Sequence, residues 1–368
     1  MRGRLIALSV AALGGCADAS SSRSSPSARG SEAPSAPSAT AAPSATAAPP
    51  ELSRSLRAIQ VAAGNYNACA RFERGVVACW GRCTMACETL SHATSGSMEP
   101  IAIHDAVDIT VGDSFACAAT RGGSVACWGY NASGALGAGG IESSKAPRAI
   151  PRVSHAVEVA ASQRMACARS ANGDVYAWGG SRAAAPKRIA AMSGATALIE
   201  DPLSCCARVE GGFACIGDVD EEPVVTPYRP GLCGCELGEA GALRCEMRGM
   251  PSSPSMRGEG YQAPLMGCSL AALADVRDFT IVGDAGYALR SSGEVWRWGA
   301  IGRVGERAPL AAVSGLPAVQ SLASGALGAV FAVDAEGAIW AWGQSSEHAI
   351  TATDEYVEAP KRIWVPTR

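Results

Sequence analysis

Cys117-AATRGGSVA-Cys127-Trp128-Gly129 reads as two short apolar β runs turned about Gly123, and Cys69-ARFERGVVA-Cys79-Trp80-Gly81 repeats the pattern about Gly75. The unit recurs at Gly173, Gly211, Gly241, Gly293 and Gly337, so the seven glycines lie on average about 44 residues apart. A second mark, Ala or Glu followed by Pro, alternates with them at Pro100, Pro147, Pro186, Pro223, Pro264, Pro309 and Pro360. A self-similar period of this length signals a repeat architecture. Within one period, Ala146–Ile150, Val157–Ala161, Met165–Ala168 and Val175–Gly179 are four short β runs bounded by Gly, Ser, Asn or Pro. Four short strands per unit make one propeller blade. The sequence therefore predicts an all-β, seven-bladed β-propeller over residues 57–368.

The turn fixes the register inside each blade. Centres such as Asn172-Gly173, Ser292-Gly293 and Glu336-Gly337 suit a three-residue hairpin loop whose last residue is a left-handed glycine. Residues ten apart then oppose one another, at a Cα separation within disulfide reach. This pairs Cys69 with Cys79, Cys117 with Cys127, Cys205 with Cys215, and Cys235 with Cys245. Zinc would need clustered ligands such as two cysteines separated by two residues, which this offset does not supply. Cys83 and Cys87 share one loop and are expected to pair. Cys206 points away from Cys205, with Cys233 or Cys268 as its possible partner, and Cys167 is left without an assigned one.

The chain ends suggest how the ring closes. Ala58-Ile59-Gln60-Val61 opens the first blade without a preceding Pro strand, while Ala359-Pro360-Lys361-Arg362-Ile363 has no following hairpin. Pairing them in one blade closes the ring and leaves no free edge. The irregular step lies between Gly211 and Gly241, only 30 residues apart, where Glu246-Met247 replaces Trp-Gly. A six-bladed ring with an inserted hairpin is the alternative there.

At the N-terminus, Arg2 and Arg4 precede an apolar run from Leu5 to Leu13 that ends in Leu13-Gly14-Gly15-Cys16. This reads as a secretory signal over residues 1–15, too short to span a bilayer. A Cys after Leu-Gly-Gly resembles the bacterial lipobox, in which that Cys becomes a lipidated N-terminus. Residues 17–50 are almost entirely Ser, Ala and Pro, a composition that builds no core, and residues 16–56 read as a lipidated tether. Loss of Arg2 and Arg4 leaves 29 basic against 34 acidic residues, a net charge of −5, with no electrostatic footprint for nucleic acid. Fifteen cysteines suit an exported protein. The expected address is the bacterial cell envelope, at the outer membrane or cell surface.

Trp128-Gly129-Tyr130-Asn131-Ala132-Ser133-Gly134-Ala135-Leu136-Gly137 looks like a W-G-x-N-x-x-G-x-L-G loop. Together with the Cys-Ala and Cys-Trp-Gly runs, it resembles the regulator-of-chromosome-condensation repeat family in a bacterial, exported form. Members of that family include a nucleotide-exchange factor for a small GTPase, an ultraviolet photoreceptor and a secreted inhibitor of β-lactamases. The resemblance implies a seven-bladed ring that binds another protein through its loops.

No constellation in the chain points to chemistry. His92, His104, His155 and His348 are scattered, and Asp218-Val219-Asp220-Glu221-Glu222 reads as a solvated acidic loop. Gly137–Gly140 lacks the Lys-Ser/Thr of a phosphate loop and reads as flexible. The tryptophans recur at one blade position, which suits packing between blades. The segments from Trp-Gly to the next Pro vary most: 82–98, 130–145, 247–262 and 344–358 are long, and 180–185 is short. Their expected partner-binding anchors are Met85, Met98, Tyr130, Met250, Met256, Tyr261 and Tyr356, residue types that suit interface cores. The reading is a monomeric, lipid-anchored, non-catalytic module with an unknown protein partner, no nucleic acid, no cofactor and no metal. The alternative is an envelope enzyme or glycan-binding protein using the central pocket.

Overall fold

The computed structural model describes residues 56–81, 98–180, 185–201, 203–226, 233–238, 241–247, 270–282, 285–300, 307–325, 327–345, 350 and 356–364. The chain is an all-β propeller built of antiparallel sheets. The first blade holds β1 (Ala58–Ala63), β2 (Asn67–Phe72), β3 (Val77–Gly81) and β4 (Glu99–Ile101). The second holds β5 (Ala106–Val111), β6 (Phe115–Thr120), β7 (Val125–Gly129) and β8 (Ser144–Ala149). The third holds β9 (Ala156–Ala161), β10 (Met165–Ser170), β11 (Val175–Gly179) and β12 (Lys187–Arg188). The fourth holds β13 (Ala197–Glu200), β14 (Cys205–Val209), β15 (Gly212–Ile216) and β16 (Val224–Thr226). A three-stranded sheet follows, with β17 (Cys233–Leu237), β18 (Leu243–Met247) and β19 (Leu270–Leu273). Two further four-stranded blades complete the described chain. One is β20 (Val276–Val282), β21 (Ala285–Arg290), β22 (Val295–Ala300) and β23 (Arg307–Ala312). The last is β24 (Val319–Ser324), β25 (Ala329–Asp334), β26 (Ile339–Gln344) and β27 (Tyr356–Trp364).

All seven hairpin glycines have φ between +75° and +87°, a conformation that only glycine takes without steric cost. Each also lies against the blade that follows wherever a neighbour is described. A Cβ on Gly123 would meet His155 Cα at 2.7 Å, and one on Gly337 would meet Arg57 Cβ at 2.5 Å. The glycine carbonyls then cap the next innermost strand. Ala156 N donates to Gly123 O at 2.9 Å, Ala195 N to Gly173 O at 3.0 Å, and Val319 N to Gly293 O at 2.8 Å. Turn chemistry and seam packing are thus one device.

The proline strand does not open a blade; it ends one. Pro100, Pro147, Pro309 and Pro360 lie in β4, β8, β23 and β27, each the outermost strand of its sheet. Proline donates no ladder hydrogen bond and is tolerated at an edge. A repeat fixes its period and leaves its starting point open, and the edge preference is what sets the phase.

That shift corrects the closure expected from the chain ends. β1 pairs with β2 alone, and β27 pairs with β26, so the terminal strands share no sheet. The first and last blades instead meet face to face. Ala58 N donates to Gly337 O at 3.2 Å, the same bond that joins the other seams. Val61 N donates to Ser321 Oγ at 3.2 Å, and Gln320 Nε2 donates to Ala58 O at 3.1 Å. Trp80 meets Phe331 edge-on with ring centroids 5.6 Å apart, and Phe72 meets Trp364 at 5.4 Å.

The structure links Cys69 to Cys79, Cys117 to Cys127, and Cys235 to Cys245 across their hairpins. The expected Cys205–Cys215 bridge is corrected: Cys206 bonds Cys215, and Cys205 bonds Cys167 of the third blade. The cause is turn length. Val209 pairs with Gly212 around a two-residue turn, so Cys206 opposes Cys215 and Cys205 opposes Ile216. One residue fewer in the loop moves every side chain to the other face. Cys83, Cys87 and Cys268 lie outside the described residues.

Candidate functional site

Antiparallel strands reverse direction at every turn, which sorts the connections onto two faces. The turns joining the two inner strands of a blade and the loops joining its two outer strands emerge on one face. The glycine hairpins and the blade-to-blade connections emerge on the other. The large apolar side chains exposed in described connections all fall on the first face: Tyr130, Ile141, Leu203 and Leu327, between 38% and 64% exposed. The hairpin face instead pairs its charges, with Arg57 near Glu73, Arg188 near Asp174, and Arg290 near Asp275 and Glu294. Hydrogen bonding from Arg188 holds the Asp174 carboxyl below the usual range.

The expected anchors fare unequally. Tyr130 is exposed on the loop face. Met98 is only 9% exposed and packs in the core between the first and last blades, so it is a core residue and no surface anchor. Tyr356 is half-buried beside Tyr287, whose phenol burial pushes up to about 12. Met85, Met250, Met256 and Tyr261 lie outside the described residues. Ile141, Leu203 and Leu327 were not expected, because a single apolar residue in a loop carries no sequence signal until its face is known.

The second blade's outer loop is braced, contrary to its flexible reading. Asn131 is buried and its Oδ1 accepts Leu136 N at 2.8 Å, while its Nδ2 donates to Gly140 O at 3.1 Å and Glu142 O at 3.2 Å. From the third blade, Trp178 Nε1 donates to Ala135 O at 2.8 Å. Gly137 leaves room for that indole: a Cβ there would lie 2.6 Å from Trp178 Cδ1.

This loop stands beside Gly180, the last residue described after β11. A cleft of about 390 Å³ there is lined by Asp113, Phe115, Tyr130, Ser133, Gln163, Arg164 and Gly180 among others. Backbone bonds fix its walls. Tyr130 N donates to Ser114 O at 2.8 Å, Gly180 N to Arg164 O at 2.9 Å, and Asp113 N to Gln163 O at 3.3 Å. Ser133 Oγ donates to Arg164 O at 3.1 Å, tying the second blade's loop to the third blade.

The polar side chains of the innermost strands are engaged in bonds between blades, through Asp108, and within blades, through Arg71 and Arg169. Asp108 Oδ2 accepts Val159 N at 2.9 Å, and its Oδ1 accepts Gln60 Nε2 at 2.6 Å. Arg71 Nε donates to Gln60 Oε1 at 2.8 Å, and Arg169 Nε donates to Glu158 Oε2 at 2.6 Å. Burial pushes the Asp108 carboxyl above its usual range against these hydrogen bonds. Among the described residues, no three His, Cys, Asp or Glu side chains gather as metal ligands. His104 and His155 stand in separate connections on the hairpin face.

A propeller of disulfide-stapled, Trp-Gly-marked blades defines a repeat scaffold. Residues 106–135, from β5 to the braced loop after β7, match the regulator of chromosome condensation (RCC1) repeat. Among solved structures, the chain is similar to Prp20p from Saccharomyces cerevisiae, described with its binding properties to Gsp1p and histones. The identity is 19%, over 83% of this chain and 76% of that one, with a TM-score of 0.45. It is also similar to human WBSCR16 at 16% identity, over 84% of this chain and 82% of that one, with a TM-score of 0.45. No curated protein matches by sequence.

Proposed function

We propose that the chain is a lipid-anchored, non-catalytic propeller of the bacterial envelope that binds a protein partner through its loop face. The observation that carries the binding face is the segregation of Tyr130, Ile141, Leu203 and Leu327 onto one side. Large apolar side chains cost free energy in water, and these four, spread over three blades, give that face separate apolar anchors to offer a partner. The inner-strand carboxylate Asp108 already ties three blades together and Glu158 is engaged by Arg169 of its own blade, which favours binding over catalysis in the channel. In this reading the propeller has seven blades, with β17–β19 as the fifth. A Cβ on Gly241 would meet Val276 O at 2.6 Å, the relation other hairpin glycines have to the next blade. Cys235, Cys245 and Leu270 also share a core with Phe279 and Trp298.

Crosslinking in native envelopes tests the face. Replacing Tyr130, Ile141, Leu203 and Leu327 together by Ser should cut partner recovery about tenfold or more, the effect of losing a few buried anchors. Arg121→Gln on the hairpin face should leave it unchanged, and equal recovery from both variants overturns the reading. For the anchor, Cys16→Ser should move the protein from detergent phase to aqueous phase. Unchanged partitioning overturns it.

A further inference from the structure

We infer that the outer edge of the fourth blade, β16, docks an extended segment of a protein partner in which β-branched residues are followed by lysine or arginine. The cause is what this strand lacks. An outermost strand leaves one row of N–H and C=O groups open, and proline or charge along it blocks pairing with another chain. Pro100, Pro147, Pro309 and Pro360 guard β4, β8, β23 and β27, and β12 is Lys187-Arg188. β19 has neither, but Leu270 and Leu273 are buried in the core. β16 reads Val224-Val225-Thr226, with Pro223 one residue outside it. Val224 and Val225 are 67% and 58% exposed, more than any other large apolar side chain in a described strand. β15 pairs with one side of β16, Cys215 with Val224 and Ala214 with Val225, and no described strand pairs with the other. β-Branched residues on an open edge favour the addition of a strand, held by main-chain hydrogen bonds. β16 lies on the rim, so this docking does not depend on the loop face.

The approach to the strand sets the charge of its occupant. β16 follows the acidic turn Asp218-Val219-Asp220-Glu221-Glu222. Lys187 Nζ donates to Val219 O at 2.9 Å and lies 3.7 Å from Asp220 Oδ1, which answers one of these carboxylates. Glu221 and Glu222 are exposed and have no basic partner among the described residues. Antiparallel pairing, the more stable of the two directions, brings the C-terminal end of an added strand to this turn. A Lys or Arg there meets Glu221 and Glu222, whereas an acidic residue is repelled. A second copy fits poorly. The chain carries a net charge of −3, and two three-residue edges bury far less than the roughly 1,000 Å² of a stable interface.

Fluorescence anisotropy of the full chain in detergent, with the fluorescein-labelled peptides Thr-Val-Thr-Val-Lys-Lys and Thr-Val-Thr-Val-Glu-Glu, tests this. The Lys peptide should bind about tenfold more tightly, the scale of two exposed ion pairs set against two like-charge contacts. It should also slow amide exchange at Val224–Thr226. Replacing Glu221 and Glu222 by Gln should erase the preference and keep the protection. Replacing Val224 and Val225 by Lys, which guards the edge as β12 is guarded, should abolish the protection at an unchanged thermal midpoint. No anisotropy change with the Lys peptide, equal affinities for the two peptides, or protection that spares Val224–Thr226 would each overturn the inference. So would a dimer of the native chain, seen by sedimentation, that the Lys variant dissolves, because β16 would then belong to a second copy.

Discussion

Asp108 joins three blades through one side chain. It lies on the innermost strand of the second blade, takes Gln60 from the first, and caps Val159 N of the third. Desolvation raises its pKa above the unfolded value, with Glu158 adding to the rise and Arg71 opposing it. A raised folded pKa contributes stability that is full at low pH and lost as pH climbs through the folded value. Asp108→Asn keeps an acceptor for Val159 N and removes this loss. The thermal midpoint of the variant relative to the native chain should therefore rise between about pH 4, near the usual carboxylate value, and pH 7. A pH-independent difference would show that Asp108 does not titrate in the folded chain. The pattern Ala-Val-Asp-Ile announces a strand, but nothing in it announces a carboxylate spanning two seams. Such a tie depends on which strands are innermost, and the period alone leaves that open.

At the scale of the element, each seam has a consistent filling. Trp128 packs with Cys69 and Cys79, Trp178 with Cys117 and Cys127, and Trp298 with Cys235 and Cys245. Where the slot lacks a disulfide, an aromatic replaces it: Trp342 meets Tyr287 with ring centroids 5.8 Å apart, and Trp80 meets Phe331. The fourth blade breaks the series because Ile216 stands where the tryptophan belongs, and there Cys205 reaches Cys167 of the third blade. The hairpins that keep Trp-Gly were legible because they share one turn length. The fourth was misread because Gly211-Gly212 shortens its turn by a residue. The inter-blade bridge closes a separation of 38 residues, and its loss should cost about 4 kcal/mol in the chain-entropy model. Replacing Cys167 and Cys205 by Ser should also lower amide-exchange protection on both sides of that seam. Replacing Cys69 and Cys79, 10 residues apart, should cost about 3 kcal/mol and loosen chiefly its own hairpin. Matching protection maps for the two variants would deny the bridge its role between blades. A second outcome concerns the cleft wall. Trp178→Phe keeps the packing, loses the bond to Ala135 O, and should cost about 1–2 kcal/mol by chemical denaturation. Unaltered stability would mean that the indole bond does not brace the loop.

Over the whole molecule, the joint between the first and last blades uses the same parts as any other seam. Gly337 O caps Ala58 N as Gly123 O caps Ala156 N. Ser321 accepts Val61 N as Asp108 accepts Val159 N, and Gln320 reaches Ala58 O as Arg277 reaches Val319 O at 2.9 Å. Arg57 adds hydrogen bonds to Ala335 O and Glu336 O. If closure is one seam among equals, the position of the chain break should matter little. The connection from Ala312 to Val319 spans residues 313–318, and joining Arg368 directly to Leu56 would leave the same six residues between Trp364 and Ala58. New termini between Ser314 and Gly315 cut an exposed turn, where breaks are best tolerated. Such a permuted chain should fold with a stability within about 1 kcal/mol of the unpermuted propeller, a shift of no more than a few degrees for a domain this large. Trp364→Ala, which removes a side chain packed on Phe72, should by contrast cost about 3–5 kcal/mol in either connectivity. A permuted chain that unfolds more than about 10 °C earlier, several times the shift expected per kcal/mol, would mean that the terminal seam is held by something the other seams lack.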